Sequence, residues 1–232
     1  MSDPTTSQKF GSGPLSRGSA LIYTLLIVEL LVLLTAVPGL AVMVLLDRDA
    51  TNLPLMTACL LPAGPALSAA LYALRHRSRD LAELSPAAAF WRGYKLNVGA
   101  ALRVWAPYLL MLALVGTNLA NFAAAGVPGW WGALLIVLAA GGTLWVLNAL
   151  VITSLFAFRA VDVAKLAAYA LGRFPALTLA NACLLIVAGA VVFVATEAAL
   201  ALLASVFAGT LLWNSRAMIT EVQQRFTRPD AQ

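Results

Sequence analysis

Long apolar runs dominate the chain, and their lengths restrict it to a membrane-spanning helical fold. The first run extends from Ala20 to Leu46, and later runs occupy 53–74, 99–123, 132–156 and 176–213. At about 1.5 Å per residue, about 20 residues of helix cross a hydrocarbon core of about 30 Å. Backbone polar groups find no water in lipid, so such segments satisfy them within helices. The sequence predicts an all-α, polytopic transmembrane helical bundle.

The composition agrees with a bundle in lipid and argues against several other classes of protein. Hydrophobic residues make up 62% and charged residues 11%, whereas soluble domains have about half and about a quarter. The net charge of +5 comes from basic residues that flank the apolar runs, so we expect a lipid bilayer and no nucleic acid as the partner. Both cysteines, Cys59 and Cys183, lie inside apolar runs, and no ligand cluster for a metal or cofactor is visible. Without a Walker loop, HExxH or GxSxG motif, no catalytic residue is predicted, and we expect a protein that is not an enzyme.

The last apolar run decides the number of spans. As one helix, 176–213 would measure about 57 Å, nearly twice the membrane core. We predict six spans, with a turn near Thr196-Glu197 that divides this run; one long tilted helix, which would give five spans, is the alternative.

The basic residues predict the orientation and the division of the chain. They concentrate in 75–95, 159–173 and 216–228, and the other turns hold few cations. By the positive-inside rule these segments and both termini are cytoplasmic in a multi-pass protein. We therefore expect a flexible cytoplasmic N-terminus at 1–19, a single transmembrane domain at 20–213 and a cytoplasmic C-terminal tail at 214–232.

The second span contains the most unusual local sequence. Pro62, Gly64 and Pro65 interrupt its apolar run, and prolines around a glycine break a helix at membrane depth. One interpretation is a kink for packing, with Gly64 and Ser68 forming a contact of small residues. The other is a functional hinge or binding site.

A carboxylate lies near the middle of the first span. Glu29 is costly to place in lipid, so it should face the bundle interior. It has either a structural role or a place in a transport or proton path. For the structural role, the predicted partners are the amides of Asn118, Asn121, Asn148 or Asn181.

Two polar segments at the cytoplasmic side predict short amphipathic helices. Ser85-Pro86 is typical of a helix start, and Phe90, Trp91, Tyr94 and Val98 should share an apolar face opposite Arg92 and Lys95. This helix suits either the membrane interface or the docking of a partner, with Arg92, Tyr94 and Lys95 as candidate functional residues. The second segment places Val163, Leu166, Tyr169 and Ala170 on its apolar side.

These features together resemble a family of bacterial membrane proteins. The segment 60–72 is similar to the proline-and-small-residue segment of YesL-like integral membrane proteins, and 90–95 resembles the aromatic, basic helix that follows it. The pair Phe174-Pro175 resembles a Phe-Pro pair in the second half of that family's sequences. The resemblance implies a bacterial cell membrane and an accessory or regulatory role in ABC-type carbohydrate uptake, with permease subunits as partners. The alternative is a small autonomous transporter or channel with its site near the broken second span. The sequence does not decide between a monomer and a homo-oligomer.

Overall fold

The computed structural model describes residues 14–47, 49–77 and 85–226, and this part of the chain is a helical bundle without strands. The first helices are α1 (Pro14–Leu45), α2 (Leu53–Cys59) and α3 (Ala63–Arg75), with a 3-10 turn at Ala50–Asn52 before α2. The middle of the chain forms α4 (Pro86–Ala120), α5 (Phe122–Ala125), α6 (Trp130–Leu155) and α7 (Ala160–Arg173). The last helices are α8 (Pro175–Val194), α9 (Glu197–Ala201), α10 (Ala204–Asn214) and α11 (Arg216–Phe226). The predicted all-α class is confirmed.

Five segments of the described chain are long and apolar enough to cross a membrane. They are Gly18–Leu45, Ala50–Arg75, Pro86–Ala120, Trp130–Leu155 and Pro175–Val194. The sixth predicted span is not one helix, because α9 and α10 are short and separate at Leu202-Leu203. The single long helix of the five-span alternative does not occur either. The chain turns at Ala195-Thr196, where the Thr196 hydroxyl accepts a hydrogen bond from the Ala199 N–H at 3.3 Å.

The segment α9–α10 nevertheless returns along α8. The Asn214 amide at the end of α10 donates to Asn181, near the start of α8, at 3.2 Å. The end of α10 therefore lies at the same end of the bundle as the start of α8. Leu21 of α1 and Arg75 of α3 line one cavity with Trp213, so the beginning of α1 and the end of α3 lie there as well. We call this the basic end, and the turns at Asp49, Gly126 and Thr196 form the opposite end.

Local sequence features explain the turn at Gly126, at the opposite end of the bundle. Gly126 ends α5 with a φ of 61°, a left-handed conformation that glycine adopts without steric cost. Trp130 and Trp131 follow, stack at a centroid distance of 4.5 Å and remain exposed. Aromatic pairs of this kind are typical of the membrane–water interface.

Three boundaries differ from the prediction. Helix α1 begins at Pro14, so 14–19 are helical, while 1–13 lie outside the described residues. The predicted amphipathic helix at Pro86 continues into the third span as α4, because no proline or turn signal separates them before Pro107. The predicted tail contains α11, whose Met218, Ile219 and Val222 are buried against the bundle.

Small residues hold the centre of the bundle together. Helix α3 is almost entirely buried, and its buried residues include Gly64, Ala66, Ser68, Ala69, Ala70 and Ala73. Helices in lipid associate through close backbone approach, which small side chains permit. Helix α3 packs antiparallel to α4, since Gly64 meets Trp105 and Tyr72 meets Gly93.

Candidate functional site

The predicted break in the second span is present, and a tryptophan of α4 forms a hydrogen bond to its backbone. Helix α2 ends at Cys59 and α3 begins at Ala63, and the turn between them includes Pro62. The indole N–H of Trp105 on α4 donates to the Leu60 carbonyl at 2.9 Å. The same carbonyl accepts from the Ala63 N–H at 3.0 Å, so the indole adds a second hydrogen bond at the break, where lipid-embedded backbone needs its polar groups paired.

Two glycines let neighbouring helices approach this break closely. A Cβ atom on Gly64 would lie 2.3 Å from Cγ of Trp105. A Cβ atom on Gly39 of α1 would lie 1.9 Å from the Cys59 carbonyl oxygen. Pro65 is buried as well, so protein surrounds the break on two sides. These contacts favour the packing interpretation of Pro62, Gly64 and Pro65 over a hinge.

Glu29 joins the first helix to the last apolar segment. Its Oε2 atom accepts a hydrogen bond from the Ser205 backbone N–H at 2.7 Å. Ser205 lies in the first turn of α10, where N–H groups have no partner within the helix. Glu29 lies about 16 Å along α1 from Gly18, so α10 begins near mid-membrane with a carboxylate at its N-terminus.

The predicted amide partners of Glu29 were wrong. Asn118 and Asn121 donate to carbonyls of their own helix, while Asn148 and Asn181 bond to each other. Spacing along a sequence does not reveal which helix end approaches a side chain, so the backbone of α10 was missed. The Oε1 atom of Glu29 is buried and has no hydrogen-bond partner among the described residues. Glu29 also lies ten positions before Gly39, about 15 Å along α1, so it is not beside the break.

Three asparagines form a chain across α6, α8 and α10. The Asn214 amide donates to Asn181 Oδ1 at 3.2 Å, and the Asn181 amide donates to Asn148 Oδ1 at 3.3 Å. Asn181 is 1% exposed and Asn148 is fully buried. Such amide contacts connect helices where apolar packing alone gives little specificity.

Replacing the central asparagine should weaken the bundle. Asn181→Leu removes both interhelical bonds and leaves two amides without partners, so we expect a loss of about 1 kcal/mol in the free energy of unfolding. Unfolding of the purified protein in increasing sodium dodecyl sulfate measures this loss. Asn118→Leu is the matched control, because Asn118 is exposed and donates only to Leu114 of its own helix. Equal stability of both variants would contradict a structural role for the asparagine chain.

The first part of α4 extends beyond the end of α6. The Asn97 amide donates to the Ser154 carbonyl at 3.2 Å, one residue before α6 ends. The residues of α4 before Asn97 therefore extend past α6 by about 16 Å. Phe90 and Gly93 on this extension are buried, and Gly93 packs directly on Tyr72.

The uncovered side of this extension carries cations and apolar side chains together. Between positions 91 and 103 the exposed residues of α4 are Trp91, Arg92, Lys95, Leu96, Gly99 and Arg103, which we call the α4 face. Positions four apart share one side of a helix, so these residues form one stripe. Trp91 was predicted to share the apolar face with Phe90, but it is 39% exposed and lies beside Arg92. Tyr94 is half-buried and stacks on Phe90 at a centroid distance of 6.4 Å.

Helix α7 is amphipathic, as predicted, with one difference. Val163 and Ala170 are buried and Leu166 is half-buried. Tyr169 is exposed instead, and its hydroxyl donates to Glu221 of α11 at 3.3 Å. Glu221 also pairs with Arg225 at 3.4 Å.

A cavity at the basic end has no counterpart in the sequence prediction. It measures about 770 Å³ and lies between α1, the end of α3, α10 and the start of α11. Its walls are Leu21, Leu25, Leu74, Val206, Gly209 and Leu212, and Arg75, Arg77 and Arg216 line it as well. Sequence reasoning missed it because Arg77 and Arg216 lie far apart in the chain. No group of three or more His, Cys, Asp or Glu residues suited to a metal ion occurs within 14–47, 49–77 and 85–226.

Comparisons with protein-family models, with curated proteins and with solved structures found no match. The resemblance to YesL-like proteins therefore stays a prediction.

Proposed function

We propose that this protein is a non-enzymatic subunit of the bacterial cell membrane that assists or regulates ABC-type carbohydrate uptake by binding the permease subunits. In this proposal the basic end faces the cytoplasm, in agreement with the positive-inside rule. The sugar-uptake role comes from the sequence resemblance, and the binding role comes from the α4 face.

The observation that carries the binding role is the uncovered α4 face, where cations and apolar side chains share one side of the helix. Trp91 and Leu96 are 39% and 65% exposed, so apolar side chains extend from the basic end beyond α6. Arg92, Lys95 and Arg103 make no ion pair with any residue that the structure describes. Aromatic and arginine side chains are enriched where proteins bind each other.

The composition of the α4 face defines the expected partner surface. The three cations favour a partner surface with acidic residues. The exposed tryptophan and leucine need an apolar depression between those acidic residues. Helix α4 runs without interruption from this face into the membrane. A partner that is itself embedded in the bilayer can therefore contact both the extension and the span.

Charge reversal on the α4 face should release the partner. We expect Arg92→Glu with Lys95→Glu to abolish recovery of permease subunits during affinity purification in mild detergent, followed by mass spectrometry. The reason is that two favourable pairs become repulsive contacts, which lowers affinity by about tenfold or more. Sugar uptake by cells that carry the variant should fall in parallel.

The matched control reverses the same number of charges elsewhere at the basic end. Lys165→Glu with Arg173→Glu changes two exposed cations on α7, away from the α4 face. This control should retain the partner. Equal loss in both double variants would assign the effect to general charge at the membrane surface and contradict a specific docking face. Purification of wild-type protein without permease subunits would contradict the accessory function itself.

Autonomous transport, with a site near the broken second span, is the alternative function. The contacts of Trp105 and Gly39 at the break do not favour it. Solute flux into liposomes that contain only this protein would support transport.

A further inference from the structure

We propose that the arginine-lined cavity at the basic end binds an anionic phospholipid, with the phosphate at the arginines and an acyl chain along the apolar walls. This site lies between α1, α3, α10 and α11 and is separate from the α4 face. It does not depend on the proposed partner.

The cavity has the dimensions of one lipid leaflet. Its lining extends along α10 from Val206 to Trp213 and reaches Arg216 at the start of α11. Ten residues of helix measure about 15 Å, which is half of a hydrocarbon core of about 30 Å. The inner limit is near mid-membrane, because Val206 is adjacent to Ser205, the partner of Glu29. The arginines therefore lie at headgroup level when the apolar walls lie in the hydrocarbon.

The apolar part is open toward the surrounding lipid. Val206 is 48% exposed and Trp213 is 63% exposed, and both line the cavity. Gly209 lies between them on α10 and contributes no side chain to the bottom of the groove, which we call its floor. A Cβ atom there would meet only Leu74 Cδ1, at 3.9 Å. An acyl chain can enter such a groove sideways from the bilayer. A soluble ligand would instead have to enter from water past the arginines.

No acidic side chain among the residues that the structure describes pairs with the arginines at the mouth. Arg75, Arg77 and Arg216 line the cavity, and its described lining contains no acidic residue. Glu221 is close in sequence to Arg216, but it contacts Tyr169 and Arg225. Clustered basic residues between transmembrane helices favour anionic lipid headgroups.

Arg216 is held in an orientation suited to a phosphate. Its guanidinium carbon lies 3.4 Å from the centroid of the Trp213 ring. Stacking on the ring face fixes the guanidinium plane and leaves the N–H donors at its edge free. Two donors of one guanidinium can then bind two phosphate oxygens.

Lipid titration of the purified full-length protein tests this inference. Native mass spectrometry in a non-ionic detergent should detect phosphatidylglycerol bound about 10- to 100-fold more tightly than phosphatidylcholine, since the two lipids differ mainly in headgroup charge. The triple variant Arg75→Gln, Arg77→Gln, Arg216→Gln should lose this preference. The double variant Arg159→Gln, Arg173→Gln is the control, because both cations are exposed at the same end but do not line the cavity.

A second variant tests the acyl chain independently of charge. Gly209→Leu keeps all three arginines and places a side chain on the floor of the groove. Leucine has a higher helix propensity than glycine, so α10 should remain folded, which the thermal unfolding temperature verifies. We expect weaker binding of phosphatidylglycerol by about tenfold, while the binding of inorganic phosphate is unchanged.

The outcomes separate a lipid from a soluble anion. Two results together support the inference. The triple variant loses the preference for phosphatidylglycerol, and Gly209→Leu binds phosphatidylglycerol more weakly than the wild type. Equal binding of phosphatidylglycerol and phosphatidylcholine, or full preference in the triple variant, overturns it. Binding of inorganic phosphate or glycerol phosphate as tight as that of phosphatidylglycerol also overturns it, because the acyl chain would then contribute nothing.

Discussion

Gly64→Ala is expected to lower the free energy of unfolding by about 1–3 kcal/mol, because the added methyl group overlaps the Trp105 side chain. The nearest atoms are Cγ at 2.3 Å, Cδ1 at 2.6 Å and Cβ at 2.8 Å, and the Cβ atom cannot move away without the helix that carries it. Trp105 is also held by its hydrogen bond to Leu60, so rotation of the ring would break that bond. Unfolding in sodium dodecyl sulfate, followed by tryptophan fluorescence, measures the loss.

The matched control for this prediction is Gly116→Ala on α4. A Cβ atom at Gly116 meets nothing within 4 Å, so alanine there should leave stability unchanged or raise it through helix propensity. Equal stability of the two variants would mean that α3 and α4 separate easily at the break. That result would favour the hinge interpretation of Pro62, Gly64 and Pro65.

Glu29→Leu is expected to destabilise the protein by about 2–3 kcal/mol, because the Ser205 N–H loses a charged acceptor in a place without water. Leucine is one atom shorter than glutamate but branched and of similar volume, so lost packing contributes little. The same denaturant titration measures the effect. Loss of the contact should also loosen α10 from α1, which faster proteolysis of the C-terminal segment would reveal.

Glu29→Gln is the control for this prediction, since an amide oxygen still accepts from Ser205. We expect a loss of about 1 kcal/mol, the difference between a charged and a neutral hydrogen bond. Wild-type stability in the leucine variant would contradict the capping role. A stable glutamine variant that abolishes solute flux in liposomes would move Glu29 from a structural role to a transport path.

Features that depend on neighbouring residues were predictable from the sequence. The apolar runs follow from composition and the break at Pro62 from its prolines, while the turn near Thr196 follows from the length of the last apolar run. The break and the turn are confirmed, and so is the amphipathic character of α7. The continuity of α4 was missed because Ser85-Pro86 marks a helix start clearly, whereas nothing in the sequence marks where this helix enters the membrane.

Features that depend on the arrangement of helices were not predictable. Trp105 reads as one more apolar residue of the third span, and only the structure shows its contact with Leu60. Arg75 and Arg216 read as separate membrane anchors, although both line one cavity. An expectation of side-chain partners for Glu29 also overlooked a helix end inside the membrane. The doublet Leu202-Leu203 gives no local sign that α9 and α10 separate there.

The contact between Glu29 and Ser205 has a consequence for biosynthesis. The two residues are 176 positions apart, so at about 5–20 residues per second the ribosome reaches Ser205 on the order of 10–35 s after Glu29. During that interval the first span holds a carboxylate whose hydrogen-bond donor, the Ser205 N–H, has not yet been made. A nascent chain stalled before α10 therefore keeps an unpaired carboxylate within the membrane, which distinguishes it from a finished one. Once the last apolar segment has been synthesised, the Ser205 N–H donates to Glu29 and the carboxylate is paired.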